Sequence, residues 1–252
     1  MSAGCVCAVI PAAGRGSRLG IDIPKLLLPL GRNRTVWDIL YAKVASQVQH
    51  VQVILHPSMV RRFEEHLSNH PHQHATVSYA FQETPRGMGD AVFCGRAVWE
   101  QFTDILVVWG DQVALSSGTI ERTLSLHYSS PSAAICLPLC RQAAPYVDYI
   151  LNDAGKFIRV LQSREGDVCR PNGLSDVGVF ALSTLGLTAA WEEFLTRSEH
   201  GRHTGEVNFL PFLPYLSSVC DWYTQSFEVH DICESRGINT PEDLAFFQQA
   251  LL

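Results

Sequence analysis

The strongest constraint on the fold of this chain is an alternation of period in its first 110 residues. Short apolar runs of strand length take turns with stretches of helical spacing. Cys5–Ile10 reads as a strand. Thr35 comes next as a helix cap, with Asp38 three residues on, and Trp37, Leu40, Tyr41, Val44 and Val48 lie at helical spacing. Val51–Leu55 is the next strand, and Met59, Val60, Phe63 and Leu67 mark the helix after it. Thr76–Phe81, a helix over Asp90–Trp99 and a strand over Ile105–Trp109 continue the series. Such alternation gives a mostly parallel sheet with helices on both faces, and ligands on such sheets bind outside the carboxyl ends of the strands.

The second half changes character. Ala133–Leu139, Tyr149–Asn152, Phe157–Leu161 and Val177–Leu182 are closely spaced strand-like runs. A helix is expected over Thr188–Thr196 and a last strand over Trp222–Val229. The closing helix is well signalled: Thr240 caps it, Pro241 suits its first position, and Glu242 and Asp243 complement its dipole. With no repeat and no linker, residues 1–252 read as one continuous α/β domain with a mixed, mostly parallel sheet.

Composition narrows the function classes. A net charge of -6 argues against general nucleic-acid binding, which shows a basic excess. No apolar run reaches the roughly 18 residues of a membrane helix, and the N-terminus lacks signal-peptide features. The eight cysteines form no Cys-x-x-Cys pair, and several lie in apolar runs, so buried reduced thiols are expected. The expectation is a cytoplasmic enzyme with no nucleic-acid or membrane partner; homo-oligomerisation is left open.

The first strand ends in Pro11-Ala12-Ala13-Gly14-Arg15-Gly16-Ser17-Arg18-Leu19-Gly20, and Pro24-Lys25 lies just beyond. Glycines let backbone amides approach a polyphosphate and form an anion-binding nest. Arg18 can bridge phosphate oxygens, and Lys25 supplies a compact charge. A glycine-rich turn carrying surface basic residues would show the same local pattern. The spacing is that of neither a Walker loop nor a Rossmann fingerprint.

The whole string, continued by Leu28-Pro29-Leu30, resembles the signature of the sugar-phosphate nucleotidyltransferase superfamily. Those enzymes pass a nucleotidyl group from a triphosphate to a phosphorylated acceptor and release pyrophosphate. The resemblance implies a Rossmann-like nucleotidyltransferase fold, similar to the glycosyltransferase-A fold. The nucleotide-binding half would cover about residues 1–115 and the acceptor-binding half about 116–252. Arg18 and Lys25 would be the catalytic phosphate-binding pair, with Ala12, Ala13, Gly14 and Gly16 around the nucleoside triphosphate. Gln82-Glu-Thr-Pro-Arg-Gly87-Met-Gly89 is similar to the base-reading loop of bacterial N-acetylglucosamine-1-phosphate uridylyltransferases. By that resemblance Gln82 and Gly87 contact the base, and Gln82 leans toward a pyrimidine, UMP being the expected group. Val107-Val-Trp-Gly-Asp111 and Gly237-Ile-Asn239 resemble the segments that supply two metal contacts, so Asp111 and Asn239 would hold Mg²⁺. Asp243 is expected in the first helical turn rather than at the metal. The four motifs run in the expected order from about residue 8 to residue 247.

The acceptor side departs from the uridylyltransferase pattern. Asp148 stands near an expected sugar-contacting glycine, Gln162 where a Glu is expected and Asp176 where an Asn is expected, while Gly178 matches. These four are the candidate acceptor residues, with Arg164 and Glu165 either in the pocket or an exposed pair. The acceptor class stays open: a sugar 1-phosphate, another sugar or cyclitol phosphate, or a phosphonate. Thr204-Gly-Glu-Val-Asn208 is either an acceptor contact or a capped turn before a helix. His66, His70, His72 and His74 read as a solvated loop rather than a zinc site. The acyltransferase half of the bifunctional uridylyltransferases is not in this sequence, so acetyl transfer is not expected. Two rival classes are a cytidylyltransferase for a polyol phosphate, amino-alcohol phosphate or phosphonate, with a molybdopterin-type transferase more distant, and a non-catalytic nucleotide-binding regulatory module.

Overall fold

A computed structural model describes residues 5–14, 19–20, 23–31, 33–70, 74–130, 133–198 and 200–250. The alternating segments of the first half become β1 (Val6–Pro11), α1 (Val36–Val44), β2 (His50–Leu55), α2 (Val60–Asn69), β3 (Thr76–Phe81), α3 (Met88–Cys94), α4 (Arg96–Trp99) and β4 (Asp104–Val108). Next come α5 (Ser117–Tyr128), β5 (Ala134–Gln142), β6 (Val147–Leu151), β7 (Phe157–Gln162), β8 (Gly173–Asp176) and β9 (Val179–Ser183). The chain continues through α6 (Leu187–Arg197), α7 (Phe212–Ser218), β10 (Tyr223–Val229) and α8 (Pro241–Ala250).

The main sheet has the order β10-β5-β9-β4-β1-β2-β3, with β8 added beside β5, and β6 and β7 form a separate hairpin. Strands β3, β2, β1 and β4 are mutually parallel. β9 runs antiparallel between β4 and β5, and β10 lies parallel to β5. The α/β class expected from the sequence is therefore what the chain forms. Strands from both halves share one sheet, joined at the β4–β9 seam, where Val108 faces Val179.

β1 shows why this half reads as near-continuous hydrophobic runs. Val6, Ala8 and Ile10 enter one core with α1, α2 and α5 residues such as Trp37, Phe63 and Ile120. Cys7 and Val9 enter the other, with Trp99, Trp191 and Phe212. A strand covered on both faces cannot alternate with polar residues. α1 opens on the expected capping box: Asp38 N donates to Thr35 Oγ1 at 3.3 Å, and Thr35 N donates back to Asp38 Oδ2 at 2.7 Å. Thr240 and Asp243 repeat the arrangement at α8.

Some elements differ from expectation. The Asp90–Trp99 helix is two pieces broken at Gly95, where a Cβ would lie 2.5 Å from Gln52 Oε1. α5, absent from the expected series, is capped by Ser116, whose Oγ accepts from Thr119 N. The strand expected over Val177–Leu182 is preceded by β8, because Gly178 at φ +78° turns the chain between them. Of the eight free cysteines, Cys7, Cys136 and Cys140 are buried, but Cys5, Cys94 and Cys233 are exposed. Burial pushes the thiols of Cys7 and Cys136 up to about 12. No described helix is long and apolar enough to cross a membrane.

Candidate active site

β1 and β4 lie side by side and end together, so the loops that leave the two strands meet at one edge of the sheet. Gly110 permits the close approach: a Cβ there would sit 3.0 Å from Pro11 O. Past β1, Ala12 N donates to Ile54 O at 2.8 Å, Ala13 is buried, and Gly14 faces open space. Gly16 and Arg18 lie outside the described residues. Lys25 opens a short 3₁₀ turn after Pro24, held by the Leu27 N to Pro24 O bond and anchored by buried Leu26.

That turn delivers the central contact of the site. Lys25 Nζ lies 3.0 Å from Asp111 Oδ2 and 3.2 Å from Asn239 Oδ1. Three groups from opposite ends of the sequence thus converge on one point. The Lys25 and Asp111 side chains are 22% and 18% exposed, so the pair is shielded yet reachable. Asp111 is fixed by its backbone, which accepts from Ile238 N at 3.1 Å. Gly237 makes room for its carboxyl, since a Cβ there would lie 3.0 Å from Asp111 Cγ. Asn239 N donates to Asp243 Oδ2 at 3.1 Å, so Asp243 orients the Asn239 segment and caps α8.

The arrangement suits a hard divalent cation. Two oxygens, Asp111 Oδ2 and Asn239 Oδ1, already point at a single positive centre. Mg²⁺ takes one or two protein oxygens and completes its shell with phosphate and water. A larger cluster of protein ligands is not needed, and among the described residues no group of three His, Cys, Asp or Glu is placed to hold a metal. His66 instead pairs with Asp38 at 2.8 Å and stacks on His70, and His72 lies outside the described residues.

Gln82 continues β3 at the same edge, its N–H donating to Leu55 O. Its side chain is buried, and Nε2 donates to Gly87 O at 3.0 Å and to Asp90 Oδ2 at 2.8 Å. Asp90, whose other oxygen accepts from Arg86, orients Gln82, a role that nothing in the local sequence pattern announces. Gly87 stands at φ +115° as the cap of α3. A Cβ there would lie 2.7 Å from Val207 O, so both conformation and space demand glycine.

On the other side of the β4–β9 seam, Trp109 N donates to Gly178 O at 2.9 Å. Gly178 N donates to Asp176 Oδ1 at 2.9 Å, and Tyr149 Oη donates to Asp176 Oδ2 at 3.3 Å. Burial pushes the Asp176 carboxyl up to about 6, and the nearby Asp111 charge adds to the rise. Asp176 and Gly178 therefore neighbour Asp111. Gln162 is buried at the end of β7, with Oε1 unpaired among the described residues, against a cavity of about 270 Å³.

Asp148 has a different place from the one expected. It is fully buried, and Arg170 grips it through Nε at 2.8 Å and Nη2 at 2.9 Å. Arg170 N and Leu174 N donate to the same carboxylate. Though burial opposes ionisation, these donors hold the carboxyl below its ordinary value. A carboxylate with its lone pairs so occupied ties β6 to β8 and has none left for a substrate hydroxyl. The sequence offered a signal, a lone Asp inside an apolar strand, but not the distant Arg170 that answers it.

Residues 8–170 match the sequence profile of the MobA-like NTP transferase domain. The chain belongs to that family. The family is one of NTP transferase domains, the class that the opening segment resembles. Among curated proteins it is similar to bifunctional protein GlmU of Kineococcus radiotolerans, 26% identical over 241 residues, covering 94% of this chain and 47% of that protein. GlmU of Mycolicibacterium paratuberculosis is 29% identical over 175 residues, covering 66% of this chain and 32% of that protein. GlmU of Thermotoga maritima is 25% identical over 252 residues, covering 97% and 51%. The chain thus spans about a third to a half of the length of these relatives. Among solved structures, 4-diphosphocytidyl-2C-methyl-D-erythritol synthase from Anaerococcus prevotii superposes with a TM-score of 0.69 at 15% identity, covering 99% of both chains. At that identity the likeness shows the fold.

Proposed function

We propose that the protein transfers a nucleoside monophosphate, a pyrimidine nucleotide by preference, from its triphosphate to a small phosphorylated acceptor such as a sugar 1-phosphate. The observation that carries this reading is the meeting of Lys25, Asp111 and Asn239 at the carboxyl edge of β1 and β4. The acceptor's phosphate oxygen attacks the α-phosphorus, the bond to the bridging oxygen of the β-phosphate breaks, and pyrophosphate leaves with the electron pair. No general base is required, because the attacking phosphate is already ionised. Lys25, with Arg18, neutralises charge on the phosphates as it shifts; positioning and charge stabilisation dominate reactions of this type. Asp111 and Asn239 would hold Mg²⁺, which would supply charge stabilisation for the phosphates and the leaving group.

Ala12, Ala13, Gly14 and Gly16 line the triphosphate in this reading, and Gln82 with Gly87 meets the base. With both Nε2 hydrogens given to Gly87 O and Asp90 Oδ2, Gln82 offers its Oε1 as an acceptor for a base N–H. Asp176, Gly178 and Gln162 belong to the acceptor half. Free thiols without a disulfide suit a reducing compartment, and a cytoplasmic location is part of the proposal.

The test is a pyrophosphate-release screen that crosses UTP, CTP, ATP and GTP with sugar phosphates, polyol phosphates, amino-alcohol phosphates and phosphonates. Mg²⁺-dependent release with a pyrimidine triphosphate and one acceptor class is the expected result. Release with CTP and a polyol or amino-alcohol phosphate would make it a cytidylyltransferase. Tight triphosphate binding without release for any acceptor would overturn the catalytic reading in favour of a regulatory module.

A further inference from the structure

Glu165 lies just past β7 in a 3₁₀ turn and is buried, an expensive place for a carboxylate unless it is fully hydrogen-bonded. All its short contacts but one go to a single stretch, residues 203–208. Oε1 accepts from Thr204 Oγ1 at 2.6 Å and Asn208 Nδ2 at 3.1 Å; Oε2 accepts from His203 N at 3.0 Å and Thr204 N at 3.4 Å. The remaining neighbour, Arg164, donates to Asn208 Oδ1 and pairs with Glu206 at 3.2 Å, and so reinforces the same stretch. Though burial opposes it, this donor set holds the Glu165 carboxyl down at about 2, so the anchor is charged at any working pH.

The held stretch ends on the other half of the molecule. Val207 N donates to Arg86 O at 2.6 Å, and Val207 O accepts from Gly89 N at 2.9 Å. These two bonds bracket Gly87, the residue whose carbonyl accepts the Gln82 amide and whose missing Cβ leaves room for Val207. A continuous chain of contacts therefore runs from Glu165 through Thr204 and Asn208 to Val207, and on to Gly87 and Gln82. The cavity of about 270 Å³ beneath the stretch, lined by Glu165, Asn208 and Val207, leaves it space to settle if the anchor is cut.

We infer that Glu165 is a positioning residue for base recognition: by pinning residues 203–208 it sets the Gly87 carbonyl and thus the aim of the Gln82 amide. The inference rests on the assignment of Gln82 to the base. It joins the two halves of the domain functionally, because a residue beside the acceptor region governs which nucleotide is accepted.

The experiment titrates wild type, Gln82→Ala, Glu165→Gln and Thr204→Val with UTP, CTP, ATP and tripolyphosphate, with thermal melts to confirm folding. Glu165→Gln replaces one oxygen by an amide donor and loses that oxygen's two partners. Loss of hydrogen bonds to a buried charged group of this kind predicts roughly tenfold weaker binding of the preferred triphosphate. The ratio between preferred and disfavoured bases should narrow with it, while tripolyphosphate affinity stays unchanged because it has no base. Thr204→Val should act in the same direction, more weakly, and covers the case in which Glu165→Gln fails to fold. An unchanged base ratio in the folded variants, with Gln82→Ala narrowing it, overturns the inference and leaves the base assignment standing. Equal weakening of tripolyphosphate also overturns it, by showing a general structural role. No narrowing in Gln82→Ala removes the base assignment itself, and the inference falls with it.

Discussion

Asp111→Asn separates the chemistry of the site from its architecture. The carboxylate lies 3.0 Å from Lys25 Nζ, and at an effective dielectric of about 20 the gross Coulomb attraction is about 5 kcal/mol. Both groups lose hydration to meet, and ion pairs of such partial exposure retain about 1 kcal/mol net. Asn keeps an oxygen facing the ammonium, and the Asp111 backbone bond from Ile238 N is untouched. For a domain of this size 1 kcal/mol moves the melting midpoint by about 2–4 °C, so the fold should survive with a small shift. Turnover faces a larger change, because the negative charge that would hold Mg²⁺ is gone. Loss of one preorganised electrostatic contact costs about 3–4 kcal/mol of transition-state stabilisation, roughly a hundredfold to a thousandfold in rate. The assay is continuous pyrophosphate release at saturating substrates over a Mg²⁺ titration, beside a thermal melt of the same preparation. A variant that turns over within about threefold of wild type at low millimolar Mg²⁺ would refute the assignment of Asp111.

Four further outcomes are expected. Gly87→Ala places a methyl 2.7 Å from the Val207 carbonyl at φ +115°, so about 2 kcal/mol of stability should be lost in a urea melt, with weaker triphosphate binding by titration. Arg170→Met leaves Asp148 buried with only backbone donors, at a cost of about 2 kcal/mol, and should leave the KM for the phosphorylated acceptor unchanged; a raised acceptor KM would return Asp148 to the binding site. Stability against pH should carry the Glu165 signature. Its folded value of about 2 lies below the ordinary 4.5, so its stabilisation is complete above pH 4.5 and is lost as pH falls toward 2, and Glu165→Gln should flatten that limb in denaturant melts. Asp176, raised to about 6 from 3.8, has the opposite sign: its contribution is present below 3.8 and is lost as pH rises through 6, so Asp176→Asn should flatten the limb between those values.

The parts of the fold legible in the sequence are those set by local physics. The period of the first half is set by strands covered on both faces, and so β1 to β4 and the helices between them were legible. The caps at Thr35 and Thr240 were legible because capping is a property of three or four adjacent residues. The motif residues Lys25, Asp111 and Asn239 stood out by type and order, and the fold brings the Asp111 and Asn239 oxygens within 3.2 Å of Lys25 Nζ. The features that escaped depended on partners distant in sequence. Asp148 reads as available in the sequence, but Arg170 holds it; Glu165 reads as either a pocket residue or half of an exposed pair, but residues 203–208 wrap it. β8 lies before the glycine turn at Gly178, outside the strand expected over Val177–Leu182.

The ammonium of Lys25, lodged between Asp111 and Asn239, acts as a tethered counter-ion. The site is close to electrically satisfied before anything enters. A free divalent ion approaching alone has to displace a positive charge that is covalently attached and always at hand. On the proposed reading, the oxygens of a triphosphate would offer the ammonium an alternative partner to the two protein oxygens. Metal and nucleotide would then be interdependent visitors, each clearing the way for the other. A site of that kind would discriminate against stray cations without any dedicated gate.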